Sequence, residues 1–130
     1  MGYFKDLREH IAALDKAGLL VKIDEQINKD TELMPLVRWQ FRGLPEEERR
    51  AFMFTNVIDA KGRRYDIPVV VGSLAATRQI YGFGLQCAPE EIVDRWNHAQ
   101  SNPIPPKIVD KAPVHEEVHM GASLMEHGAL

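Results

Sequence analysis

Gly18-Leu19-Leu20-Val21-Lys22-Ile23 decides how the chain is read. The run after the glycine is apolar, β-prone and too short for a helix of its own, so it reads as a strand. Gly18 takes positive φ without penalty and therefore serves as a helix stop. Upstream of it, Phe4, Leu7, Ile11 and Leu14 recur at spacings of three and four, which is one face of a helix. A helix closed by glycine and followed at once by a strand opens an α/β alternation.

Working outward, Asn28-Lys29-Asp30-Thr31 is turn-prone and leads into a second helix with Leu33, Leu36, Val37, Trp39 and Phe41 as apolar positions. Pro35 fits badly beyond the first turn because it lacks the amide donor, so this helix either begins near Leu33 or kinks there. Leu44-Pro45-Glu46-Glu47-Glu48-Arg49-Arg50 is a charged, exposed linker, a solvated surface in preference to an electrostatic docking patch. Ala51 to Val57 and Ile67 to Gly72 read as strands, with Asp59 to Arg64 as a hairpin loop between them. Ser73 is suited to cap a short helix through Ile80, which Gly82 and Gly84 would end. Pro89, Glu90 and Glu91 are N-terminal chemistry for a fourth helix with Ile92, Val93, Trp96 and Ala99 on its apolar face.

This order predicts an α/β (α+β) fold: a small mixed β-sheet flanked by helices, built on a right-handed βαβ crossover with an antiparallel addition. Residues 1–100 form the N-terminal α/β domain. Residues 101–130, with Pro103, Pro105, Pro106 and Pro113, form an extended Pro-rich connector leading toward a domain outside these residues.

The chain has 130 residues, one domain's worth, and its 16 Lys+Arg against 19 Asp+Glu leave a net charge of −3. That balance argues against a nucleic-acid binder or a polybasic membrane module. An apolar fraction of 45% suits a globular domain. The single cysteine, Cys87, excludes an internal disulfide and any multi-cysteine zinc site, and points to a reducing, cytoplasmic compartment. Met1-Gly2-Tyr3-Phe4-Lys5-Asp6 has no signal-peptide pattern, and Asp6 spoils the match to a myristoylation site. No apolar run approaches the length of a membrane span.

The sharpest motif is His115-Glu116-Glu117-Val118-His119, which satisfies H-E-x-x-H. On a helix that spacing turns two imidazoles toward one zinc, with the glutamate activating water. Pro113 and Gly121 leave room for barely two turns, Ala122 stands where the extended third-ligand pattern needs Gly, and His127 is the only substitute. The simpler alternative is a strand with Val114, Glu116 and Val118 on one face. Gly82-Phe83-Gly84 reads as a helix stop rather than a phosphate loop, and Cys87 as a structural thiol rather than a nucleophile. The basic cluster at Lys61, Arg63 and Arg64 lacks an aromatic partner and reads as a solvated loop tip. Trp39, Phe41 and Trp96 read as core, Arg78 as surface with an anion or a neighbouring subunit as the sharper possibility, and His10 and His98 as helix surface. Residue chemistry thus yields an α/β domain without a self-sufficient active site.

Several strings, in order, resemble the N-terminal portion of the UbiD-like family of prenylated-flavin-dependent decarboxylases. Asp6 to Leu14 followed by Gly18 to Ile23 is similar to that family's first helix and strand. Ala51-Phe52-Met53-Phe54-Thr55-Asn56-Val57 resembles its strand ending in Asn, and Pro68 to Leu74 its strand and turn into the third helix. Pro103-Ile104-Pro105-Pro106-Lys107-Ile108-Val109 and Ala112 to Glu117 resemble the segment that enters the flavin domain. The resemblance implies reversible, non-oxidative decarboxylation of aromatic or α,β-unsaturated carboxylic acids. It also implies prenylated FMN held with Mn2+ and K+, and a homo-oligomer completed by flavin-binding and C-terminal domains. The arginine and two glutamates that act in such enzymes lie downstream of these residues. The resemblance therefore assigns no catalytic, cofactor-binding or metal residue to this chain, which would be a packing domain inactive alone. The alternative is a complete small non-catalytic interaction or assembly module.

Overall fold

The structure, a computed structural model, describes residues 4–126. The elements run α1 (Leu7–Lys16), β1 (Leu20–Ile23), β2 (Ile27–Asn28), α2 (Leu33–Gly43), β3 (Ala51–Phe54), β4 (Val57–Ile58), β5 (Arg64–Tyr65), β6 (Val69–Val71), α3 (Arg78–Leu85), α4 (Ile92–Ser101) and α5 (Ser123–Glu126). The fold is the expected α+β arrangement. Strand order is β1-β3-β6 in one mixed sheet and β2-β4-β5 in another. In each, the first pair is parallel and the second antiparallel.

The two sheets are one ribbon interrupted. Leu20 pairs with Ala51 and Ile27 with Val57, so the first strand carries one extra residue between the two registers. That is the count of a bulge, which bends the strand and breaks the ladder locally. Backbone bonds from Thr55 to Ile23 (3.1 Å) and from Ile27 to Asn56 (3.0 Å) carry the pairing across the break. The expected single strand from Ala51 to Val57 is therefore two, split at Thr55 and Asn56, and β2 and β5 occur where no strand was predicted.

β3 is the middle strand of its sheet, and alternation of its side chains builds the three layers. Ala51 and Met53 face α1 and α3, where Leu14, Leu19, Leu20, Ala76 and Ile80 complete a core cluster. Phe52 and Phe54 face α2, packing with Ile27, Leu33, Val37 and Val57. The parallel pairing of β1 with β3 is the covered-on-both-faces arrangement expected of a crossover through α2.

Asp6 caps α1, accepting from the amide of Glu9 at 2.9 Å, and Gly18 takes φ +70 just past its end. α2 begins at Leu33, so Pro35 sits in the first turn, where its missing amide costs nothing. The linker after α2 tightens into a 3-10 turn at Glu46–Glu48. The third helix departs from expectation: its cap is Thr77, not Ser73, and it runs through Gly82 and Gly84 to Leu85. Gln86, at φ 55, makes the left-handed turn that ends it. Gly82 serves close packing there, since a Cβ would lie 2.7 Å from the Cys87 carbonyl oxygen.

His10, expected on the surface, is only 5% exposed. Its Nε2 lies 2.8 Å from the Ser73 carbonyl oxygen and its ring packs edge-on to Phe4, tying α1 to the turn after β6. Trp39, Phe41 and Trp96, expected in the core, are exposed, Trp39 to 75%. α4 follows the Pro89–Glu91 turn as expected, but none of its residues is buried. Its Trp96 donates from Nε1 to the Tyr81 hydroxyl at 2.7 Å.

Candidate functional site

The candidate residues do not converge. Pro113–His115 is a short 3-10 turn and residues 116–120 are neither helix nor strand, so His115 and His119 do not share a helical face. The strand alternative at Val114 to Val118 is equally absent. His119 instead has Nε2 3.7 Å from a Glu117 carboxylate oxygen. His127, like Met1 and Gly2, lies outside the described residues. Among those residues, no group of three or more His, Cys, Asp or Glu is placed to share a metal ion. The Gly82-Phe83-Gly84 string is inside α3, which does not present it as a phosphate loop.

Cys87 is half-buried in the turn after α3, at an open cleft shared with Glu91, Arg95 and His98. His98, exposed as expected, has Nδ1 3.3 Å from the Asn102 amide nitrogen. Arg78 is on the surface, and its partner is internal: Glu46 accepts from its backbone amide at 2.7 Å and from its Nε at 3.3 Å. The linker acid thus ties the α2–β3 connection to the start of α3.

The hairpin loop is organised around an aromatic residue after all. Lys29 and Arg63 lie over the Tyr65 ring, 5.6 and 5.3 Å from its centroid. Asp59 accepts from the amides of Lys61 (2.9 Å) and Arg63 (2.8 Å) and from the Tyr65 hydroxyl (3.1 Å). The Arg63 guanidinium is thereby engaged with Tyr65, and Lys61 joins the turn through its main-chain amide. The missed signal was Lys29, remote in sequence but brought alongside by the pairing of β2 with β4.

These contacts set two titrations. The amide of Arg78, with its guanidinium, holds the Glu46 carboxyl below its ordinary range. The amide of Arg63, then the Tyr65 hydroxyl and the amide of Lys61, do the same for Asp59. A depressed carboxyl contributes stability above its unfolded pKa and loses it as pH falls through the folded one. Urea midpoints followed downward from neutral pH are expected to fall across the acid range. The Glu46→Gln, Asp59→Asn double variant should begin lower and fall less steeply. Parallel curves for the two proteins would contradict this assignment.

What the domain does present is uncovered apolar surface. An open cleft of about 660 Å³ exposes the sheet beside α1, floored by Ile11, Met53 and Val70 with Leu7 and Ile67 at its lip. Beyond α4, residues 102–112 contain neither helix nor strand, and Ile108 is 91% exposed. Ile104, Val114, Val118 and Met120 are exposed as well. Among the described residues, no helix is long and apolar enough to cross a membrane.

A family model described as the 3-octaprenyl-4-hydroxybenzoate carboxy-lyase N-terminal domain matches residues 11–100. No curated protein matches the chain.

Proposed function

Because the chain belongs to the UbiD-like carboxy-lyases, through their N-terminal domain, we propose that it is the packing domain of a decarboxylase whose reacting groups lie on other parts of the enzyme. The observation that carries this reading is the family match over residues 11–100, which covers all the sheet strands, α2, α3 and all but the last residue of α4. The described residues within and beyond that span do not assemble a metal site. The reaction proposed is reversible, non-oxidative loss of carbon dioxide from an aromatic or α,β-unsaturated carboxylic acid, in a cytoplasmic homo-oligomer.

Prenylated FMN with Mn2+ and K+ is the cofactor set proposed for the whole enzyme, where the flavin supplies an electron sink. The described residues do not fit those groups: they offer neither a three-ligand cluster nor a free glycine-rich turn for the phosphate. No step of the chemistry is assigned to this chain. Its part is physical. The three-layer domain holds a rigid face against its neighbour, and residues 101–130 carry the polypeptide across to the flavin domain, which seats their apolar side chains. Closing a flank in this way excludes water without contributing a reacting group.

The isolated chain, supplied with prenylated FMN, Mn2+, K+ and a panel of aromatic and α,β-unsaturated acids, is expected to release no carbon dioxide above the protein-free control. Turnover would place the chemistry inside these residues and overturn the proposal.

A further inference from the structure

Helix α2 turns a cationic face outward. Leu33, Val37 and Gln40 are its buried positions. At about 100° per residue the opposite direction falls between Arg38, Trp39 and Arg42. All three are exposed, Trp39 to 75%. Arg38 and Arg42 stand one turn apart, a like-charge spacing that destabilises a helix left to itself. No acid occurs between Leu33 and Gly43 to offset them. Neither guanidinium has a hydrogen bond or ion pair among the described residues. Leu36, three residues before Trp39, is exposed as well, so the two make an apolar stripe beside the cationic one. Unpaired positive charge is thus concentrated on one helix face of a chain whose net charge is −3.

Arginine and tryptophan are the side chains that most often anchor protein–protein contacts. A guanidinium takes a carboxylate through two parallel hydrogen bonds. Two guanidinium groups one turn apart match carboxylates placed one helical turn apart, or on alternate residues of a strand. We propose that the outward face of α2 is a docking surface for an acidic amphipathic segment of a polypeptide outside this chain. Its carboxylates pair with Arg38 and Arg42, and its apolar side chains cover Leu36 and Trp39. Charge complementarity selects that occupant. A second copy meeting this face with its own would bring like charge to it. A nucleic acid would find two cations on an acidic chain, and a membrane surface gains little from two. The proposal involves no catalysis, so its failure leaves the decarboxylase reading intact.

Titration with a random copolymer of glutamate and tyrosine, read by indole emission, tests it. Trp96→Phe leaves Trp39 as the sole tryptophan. Its emission is expected to move to shorter wavelength, saturably, as the copolymer is added, and to move back as salt rises. In the same background, Arg38→Gln with Arg42→Gln is expected to weaken the apparent affinity by about tenfold. Poly-glutamate, which has no apolar side chain to cover the indole, should bind more weakly than the copolymer. Arg38 and Arg42 are exposed, and unchanged far-UV circular dichroism would show that the variant folds. An emission band that the copolymer leaves in place would overturn the proposal, as would equal affinity in the arginine variant. So would a shift produced by phosphatidylserine vesicles or oligouridylate but not by the copolymer. A shift on concentrating the protein alone would show that a second copy covers the helix, and would also contradict it.

Discussion

Phe54→Ala is expected to remove about 3–5 kcal/mol of stability, a large part of what a domain of this size possesses. Phe54 is fully buried, ends the central strand, and lies within the cluster that joins α2 to the sheet. It also stacks against Phe52, with centroids 5.9 Å apart. Truncation deletes its transfer free energy and leaves a cavity between two layers that β3 and α2 cannot close independently. Urea unfolding followed by circular dichroism should show a lower midpoint. A loss under about 1 kcal/mol would mean that the α2 layer is not held through this residue.

Gln40→Met is expected to cost about 2–3 kcal/mol, although it keeps volume and removes no charge. Gln40 is buried on α2, and its amide makes two bonds to one residue of the main chain. Its Oε1 accepts from the Arg50 amide at 2.9 Å, and its Nε2 donates to the Arg50 carbonyl at 3.0 Å. The side chain thus imitates a neighbouring strand at the point where the chain enters β3. Methionine fills the space but strands both backbone groups, and an unmade bond at a buried group costs more than a made one contributes. The same change at exposed Gln79 should be close to neutral. Equal effects at the two positions would show that the paired bonds to Arg50 contribute nothing.

The architecture was largely legible, because its main strands are short apolar runs and its helices α1, α2 and α4 carry a helical period. Reading went wrong where two local signals competed. Ser73 and Thr77 are both capping residues, four apart, and only the packing of Ala76 and Ile80 against β3 selects the second. Gly82 looked like a stop because composition does not reveal that the following turn passes within contact distance of its missing Cβ. Trp39 and Trp96 read as core because they stand at helical spacing among aliphatic residues. The angular positions of Arg38 and Arg42 beside Trp39 were the sequence evidence for the opposite. His10 stands four residues before buried Leu14, on the same helical face, and that spacing pointed inward.

The function was legible in a different way. Among the described residues, no group of three or more His, Cys, Asp or Glu is placed to share a metal ion. What carried the identification was the order of ordinary strings: a helix and strand, a strand ending in Asn, a valine-rich strand into a turn. Such strings encode packing, so they disclose lineage without disclosing chemistry. The H-E-x-x-H match shows the converse, since its spacing is correct but its backbone is not helical.

Equilibrium dialysis of prenylated FMN against the purified chain, with Mn2+ and K+ present, asks directly where the cofactor is held. Flavin absorbance at equilibrium should be equal on both sides of the membrane, with the protein compartment retaining none. Retention of one flavin per chain would mean that these residues hold a cofactor site, and the account of a domain that only packs and positions would be wrong.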